Sequence, residues 1–356
     1  MRALFFLNSF VGGGAEKVCL NLARQLNHMD IESDFVIIHK KKPDYEIPEY
    51  INIFSLDLDE METTWLNLCR CLPKVNEYLS NKDYCLITAH LQPSQRLASL
   101  TSVGKRCLYV MHASQQLDDK EHSLTYRIKL WWFLRGKRII TVSEGLKQEL
   151  GSDYGINSKR ITTIYNPCNI QELETDQQCM PTHMRPYILV MGRLEEQKNP
   201  LCALELYYKG GFYNEYDLIY LGKGSLEDNL RKKINEYNMQ QHVFLVGFKR
   251  KPTPWLRNAS LLLLCSRQEG FSLSIAEALI CGTPVVASDC PHGPKEILKG
   301  KLVDYLIYPE SDFQKSIDVI ASALESYPEI TTEYYEEFDD EIITRSYLEV
   351  WKRYFG

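Results

Sequence analysis

The chain has 356 residues, 44% of them hydrophobic and 25% charged. That is room for two cores at roughly 100–200 residues per domain, and a composition outside the disordered and fibrous classes. The net charge of −6 is uneven, with 21 Lys and Arg against 19 Asp and Glu in residues 1–167 and 20 against 28 in the remainder, so neither half has the basic excess of a nucleic-acid binder.

From the N-terminus, short apolar runs alternate with helix-length amphipathic stretches. Strands are predicted at 3–7, 34–38, 51–56, 84–89, 107–111, 139–142 and 161–165, mostly near-continuous apolar runs of the kind that fill a parallel sheet covered on both faces. Between the first two, Val18, Leu22 and Leu26 recur at i, i+4 and i+8, one face of a helix. Residues 168–186 are polar and end with Pro181 and Pro186, which reads as a linker. The scheme then repeats with strands at 187–191, 217–221, 243–246, 261–265, 284–287 and 304–307. An acidic stretch at 328–341 precedes a last helix carrying Tyr347, Trp351 and Tyr354. The expected architecture is α/β, two Rossmann-like doubly wound domains facing each other across a cleft. Residues 1–167 form the first, with the helix at 340–356 packing back on it, and 187–339 the second.

No apolar run approaches the ~18–20 residues of a membrane span, and the first ten residues show no signal-peptide pattern, so a cytoplasmic location is expected. The eleven cysteines are scattered. Cys69 and Cys71 are the one close pair, and no second Cys or His cluster completes a zinc site. Reduced thiols serving as small buried hydrophobes account for them.

In doubly wound folds, ligands are bound by the loops just after strands. The first such loop, 11–16, carries Gly12, Gly13 and Gly14 before a helix, where bare backbone and a helix N-terminus suit an anion. It is not a dinucleotide fingerprint, because Lys17 stands where the third glycine is required. The second, Gly192-Arg193-Leu194-Glu195-Glu196-Gln197-Lys198-Asn199-Pro200, presents two cations five residues apart, suited to a diphosphate; Asn199 and Pro200 also read as a helix start. The third, 269–279, sets Glu269 and Glu277 eight residues apart across Gly270, Phe271, Ser272 and Leu273. Glu277 suits a ribose diol, yet Ser274-x-x-Glu277 is equally a capping box.

Taken in order, the Gly-Gly-Ala-Glu loop, the Gly-Arg-Leu…Lys-Asn string, the spacing Glu269…Glu277 and the segment Gly282-Thr283-Pro284-Val285-Val286-Ala287-Ser288-Asp289 resemble the family 4 glycosyltransferases, retaining nucleotide-sugar enzymes of GT-B fold. The likeness covers nearly the whole chain. It implies that Arg193 and Lys198 bind the donor diphosphate, that Glu277 holds the ribose and that Glu269 faces the donor sugar. Amides of Gly270 to Leu273 would contact sugar and phosphate oxygens, with Gly13, Gly14 and Gly247 also on the donor. His112, at a strand end, resembles the family's histidine near the reacting centre. The expected reaction moves a hexose or N-acetylhexosamine from a UDP-sugar to a glycan acceptor, lipid-linked or of lipopolysaccharide type. Alternatives on the same architecture are a sugar-nucleotide epimerase, a phosphorylase or a non-catalytic scaffold. Front-face and covalent routes to retention stay open.

No cofactor or metal is expected, since cationic side chains can stabilise the leaving diphosphate. Asp57-Leu58-Asp59 looks like a metal motif but reads as a solvated loop. Residues 126–138 hold Arg127, Lys129, Arg135, Lys137 and Arg138 around Trp131, Trp132 and Phe133. Two readings stand for them: an anionic membrane surface at the inner face of the cell membrane, or a core-facing helix with solvated cations.

Overall fold

A computed structural model describes residues 1–59, 62–113, 124–175 and 185–356. The chain divides into two compact units, Met1–Cys168 with Phe338–Gly356, and Asn169–Glu337.

Among the described residues the first unit holds a seven-stranded sheet. Its strands are β1 (Arg2–Leu7), β2 (Glu32–Ile37), β3 (Ile51–Ser55), β4 (Tyr84–His90), β5 (Leu108–Met111), β6 (Arg138–Thr141) and β7 (Ile161–Thr163). They lie in the order β3-β2-β1-β4-β5-β6-β7, with every neighbouring pair parallel. Apolar residues on both faces of β1 explain the burial of Ala3 to Leu7, and Phe5 stacks on Phe35 of β2 at 4.7 Å. The connecting helices are α1 (Gly14–His28), α2 (Trp65–Leu79), α3 (Gln92–Leu100), α4 (Leu124–Leu134) and α5 (Glu144–Ser152). Val18, Leu22 and Leu26 of α1 are fully buried, so the 3.6-residue period does turn that face inward.

The second unit holds α6 (Ile170–Thr175), β8 (Tyr187–Met191), α7 (Pro200–Lys209), β9 (Asp217–Leu221), α8 (Glu227–Glu236) and β10 (Val243–Leu245). It continues through α9 (Thr253–Asn258), β11 (Leu261–Leu264), α10 (Leu273–Ile280), β12 (Val285–Ser288), α11 (Pro294–Ile297), β13 (Leu306–Ile307) and α12 (Phe313–Glu325). Its described strands run β10-β9-β8-β11-β12-β13. Both sheets therefore contain the doubly wound order 3-2-1-4-5-6, whose direction of winding reverses between the first and fourth strands. The carboxyl ends flanking that point are those of β1 and β4 in the first unit and of β8 and β11 in the second.

The last helix, α13 (Asp340–Phe355), packs on α1 and β4 of the first unit. Asp339 caps it, accepting from the amides of Glu341 and Ile342. Arg24 pairs with Asp340 at 2.7 Å, and Trp351 Nε1 donates to the Arg106 carbonyl at 2.8 Å. In the segment read as a linker, Cys168 bridges to Asp339 within the first unit, and Ile170–Thr175 forms α6. That helix is too short to show a period, and only Leu173 is buried. Residues 176–184 of the same segment, Pro181 included, lie outside the described residues.

Candidate functional site

In the second unit, the two strongest motifs follow β8 and β11, the strands on either side of the reversal point. After β8, Gly192 leads into a turn at Glu196–Lys198, Asn199 takes the left-handed conformation (φ 47°) and Pro200 opens α7. Asn199 makes no side-chain cap; its backbone reversal aims Lys198 back across the strand ends. Lys198 Nζ donates to Glu269 Oε1 at 2.5 Å, and Ser266 Oγ donates to the same oxygen at 2.7 Å. Glu269 is 4% exposed. Residues assigned to diphosphate and to sugar thus form one ion pair, buried at the carboxylate and partly exposed at the ammonium. Arg193 is exposed and donates to Gln197 Oε1 at 3.2 Å, while Gln197 Nε2 donates to the Gln268 carbonyl at 3.1 Å. Gln197 therefore ties the two loops together and holds the Arg193 guanidinium.

The loops after β9 and β10 are stitched to the same end. Gly192 N donates to Leu221 O at 3.0 Å, Leu194 N to Lys223 O at 3.0 Å, and Gly222 N to Gly247 O at 3.1 Å. A Cβ on Gly222 would stand 1.8 Å from the Gly192 carbonyl oxygen, so only glycine permits this approach. Hydrogen bonds from Ser225 hold the Glu195 carboxyl below the usual carboxylate range. Gly247, with φ 78°, lies on this rim beside Lys223.

Helix α10 begins at Leu273, and its first backbone donor to the N-cap carbonyl is Ile275, to Ser272 O at 3.1 Å. The amides of Ser272 and Leu273 come before that bond and point out of the helix start. The capping box does not form. Ser272, not Ser274, is the N-cap and makes no side-chain cap, while Ser274 lies in the first turn with its hydroxyl 3.4 Å from the Met191 carbonyl. Glu277 is buried in the following turn at 4% exposure. Among the described residues, Ser272 Oγ and Gln268 Oε1 are buried without a hydrogen-bond partner. Phe271 and Gly270 abut Gly293 in the loop after β12, where a Cβ would meet Phe271 Cα at 3.3 Å. Burial, then the charge of Glu269, pushes the Cys290 thiol up to about 12; the thiol stays protonated.

The other predicted residues belong to the first unit. Gly13 is the N-cap of α1 and Gly14 its first residue. The Glu16 carboxylate folds back so closely that a Cβ on Gly13 would stand 2.1 Å from it, and Tyr45 donates to the Gly13 carbonyl at 3.1 Å. His112 follows β5, and its Nε2 lies 2.8 Å from Nδ1 of His90, the last residue of the neighbouring β4. Burial pushes His112 down to about 4. His90 is held well below the usual histidine range by burial and then by His112. Sequence reasoning missed His90, although its position at a strand end was the available signal. It also missed Gly222 and Ser225, whose use depends on contacts between loops.

Asp57 adopts φ 53° and accepts from Ser55 Oγ at 2.5 Å. Among the described residues no group of three or more His, Cys, Asp or Glu is placed to hold a metal. The core-facing reading of 126–138 holds for one face of α4. Leu130 and Leu134 are buried, with Trp131 and Phe133 packed against the same core. Lys137 lies 4.3 Å over Phe133, and Arg138 lies 3.8 Å over Tyr354. On the outer face Leu124, Ile128 and Trp132 are exposed at i, i+4 and i+8 (71%, 49% and 64%), flanked by exposed Arg127, Lys129 and Arg135. Among the described residues no helix is long and apolar enough to cross a membrane.

Two doubly wound units of this order, with paired cations and a helix N-terminus on the second, define a GT-B glycosyltransferase. The chain belongs to the family 4 glycosyltransferases: residues 12–172 match the family described as Glycosyltransferase Family 4, and residues 174–341 match Glycosyl transferases group 1. A Campylobacter jejuni relative, N-acetylgalactosamine-N,N'-diacetylbacillosaminyl-diphospho-undecaprenol 4-alpha-N-acetylgalactosaminyltransferase, is 25% identical over 308 residues, 82% of each chain. The lipopolysaccharide 1,6-galactosyltransferase of Salmonella typhimurium is 26% identical over 229 residues, 58% of this chain and 61% of its own. Among solved structures, a mutant of S. aureus TarM in complex with fondaparinux, alpha-GlcNAc-glycerol and UDP superposes with a TM-score of 0.77 at 15% identity, covering 100% of this chain and 99% of that one.

Proposed function

We propose that this glycosyltransferase retains anomeric configuration and moves a hexose or N-acetylhexosamine from a UDP-sugar to a lipid-linked or lipopolysaccharide-type glycan, without a metal. The observation that carries the reading is the part-buried Lys198–Glu269 pair, together with Arg193 on the same loop and the N-terminal amides of α10, which no side chain caps among the described residues. Preorganised cations and amides of this kind stabilise a departing diphosphate. Arg193 and Lys198 neutralise the phosphates, Ser272 and the amides of α10 take phosphate or sugar oxygens, and Glu277 receives the ribose hydroxyls. His112 serves the donor sugar, as the family resemblance implies. Glu269 Oε1 already accepts two hydrogen bonds, which makes it a poor nucleophile and favours front-face departure over a covalent glycosyl-enzyme. The donor reading is supported by the UDP in the TarM complex. The lipid-linked and lipopolysaccharide acceptors are supported by the names of the two relatives. Calorimetry with UDP in EDTA tests the clamp: wild type binds, and Arg193→Ala weakens binding about tenfold or more, the worth of a charge-assisted contact. Undetectable UDP binding by wild type, or binding restored by divalent cation alone, rejects it.

The outer face of α4 supplies the route to such an acceptor. Leu124, Ile128 and Trp132 enter the headgroup layer of an anionic membrane, and Arg127, Lys129 and Arg135 face its charge, each worth about 1 kcal/mol. Lys137 and Arg138 are only partly exposed, over Phe133 and Tyr354, and take no part. Wild type should bind phosphatidylglycerol vesicles at low salt and ignore phosphatidylcholine; Lys129→Glu with Arg135→Glu should abolish the binding. Equal binding to both lipids, or none by wild type, rejects this surface.

A further inference from the structure

The His90–His112 pair extends into the sheet by one more group. His90 Nε2 lies 2.9 Å from Thr88 Oγ1, and His90 Nδ1 lies 2.8 Å from His112 Nε2. Thr88 and His90 are both 0% exposed. A threonine hydroxyl carries one proton and must place it on an acceptor when water is excluded. Among the described residues, the one hydrogen-bond partner of Thr88 Oγ1 is His90 Nε2.

Only one order of protons satisfies every member. Thr88 donates to His90 Nε2, so a neutral His90 carries its proton on Nδ1 and donates to His112 Nε2. A neutral His112 then carries its own proton on Nδ1. The reverse order leaves the Thr88 hydroxyl proton buried with nowhere to go. Burial keeps both rings neutral at pH 7, and the ring planes lie within 28° of each other, as an in-plane hydrogen bond between them requires.

We propose that Thr88 and His90 are positioning residues that fix His112 as its Nδ1–H tautomer, so that His112 meets the donor sugar as a neutral N–H donor and not as a base. The substrate-facing atom is Nδ1, which has no protein partner among the described residues, and its complement is an oxygen lone pair such as that of a sugar hydroxyl. The role at the sugar rests on the function proposed above; the tautomer does not.

Long-range 1H–15N correlation spectra of the uniformly 15N-labelled full chain at pH 7, with His112→Gln to assign the signals, read the tautomer directly. Wild type should show His112 protonated at Nδ1. Thr88→Val, which keeps shape and removes the hydroxyl, should release that bias and give a mixture of the two His112 tautomers, and Thr88→Ser should restore the wild-type pattern. In donor turnover, Thr88→Val should lower kcat about fivefold to tenfold, the worth of one aligned hydrogen bond, with KM for the donor unchanged and kcat rescued by Thr88→Ser. An Nε2–H tautomer in wild type overturns the relay without recourse to any variant, and so does a folded Thr88→Val protein with an unaltered His112 spectrum. Full turnover by His112→Gln overturns the role at the sugar instead and leaves the tautomer result standing.

Discussion

Breaking the Lys198–Glu269 pair gives a result whose size follows from the burial of its two ends. The Glu269 side chain is 5% accessible and that of Lys198 18%, with a separation of 2.5 Å. Removing one member of a buried pair costs about 3–5 kcal/mol, because the survivor stays desolvated without its partner. Lys198→Ala leaves a carboxylate at the more buried end, with Ser266 as its remaining side-chain donor, so about 3 kcal/mol is expected. Glu269→Gln leaves an ammonium with some access to water and an amide oxygen still within reach, so about 2 kcal/mol. The double variant removes both charges and should cost clearly less than the sum of about 5 kcal/mol, with a coupling of about 2 kcal/mol from the charged hydrogen bond. Urea unfolding of the four proteins, followed by the tryptophan signal and far-UV dichroism together, completes the cycle. Additive losses within about 0.5 kcal/mol would refute the pair as a coupled unit, and Lys198→Ala would then be neutral to Glu269.

Glu277→Gln should weaken UDP binding about tenfold by calorimetry; a lowered Tm with intact affinity would contradict the ribose role. Gly222→Ala forces a Cβ against the Gly192 carbonyl and should destabilise by about 1–3 kcal/mol, with donor affinity falling alongside, whereas Gly136→Ala, which meets nothing within 4 Å but strains φ 82°, should leave donor affinity unchanged. The buried histidines make stability depend on pH. His112 titrates at about 4 in the folded chain and near 6.5 when unfolded, so the unfolded state binds the extra proton first. Stability is therefore full above pH ~6.5 and falls by about 2–3 kcal/mol as the pH drops to ~4; His112→Gln should flatten that slope, and an unchanged slope would reject the shift.

Much of this molecule is legible in its amino-acid sequence, because local period and position along a chain are what a linear sequence carries. Continuous apolar strands such as 261–265 and the i, i+4, i+8 face of α1 announce themselves by period. The motifs after β8 and β11 announce themselves by falling at strand ends. What stays hidden depends on residues far apart in the chain. The Lys198–Glu269 contact spans 71 positions, and each member alone suggests a different ligand atom. The Ser274–Glu277 spacing suggests a cap that the start of α10 at Leu273 rules out. In 126–138 the charge count is plain, but which cations face outward is set by Phe133 and Tyr354, the latter on the returning helix α13. His90 escapes notice because its meaning comes from Thr88 beneath it and His112 just past the end of the next strand.

The most direct test of the account is donor turnover to water. The full chain is incubated in EDTA with a panel of α-linked UDP-hexoses and UDP-N-acetylhexosamines, and released UDP is quantified alongside Arg193→Ala and Lys198→Ala. Wild type should release UDP slowly from at least one donor, unaffected by EDTA and reduced at least tenfold in both variants. Release that needs a divalent cation, or that proceeds equally in the two variants, would contradict it.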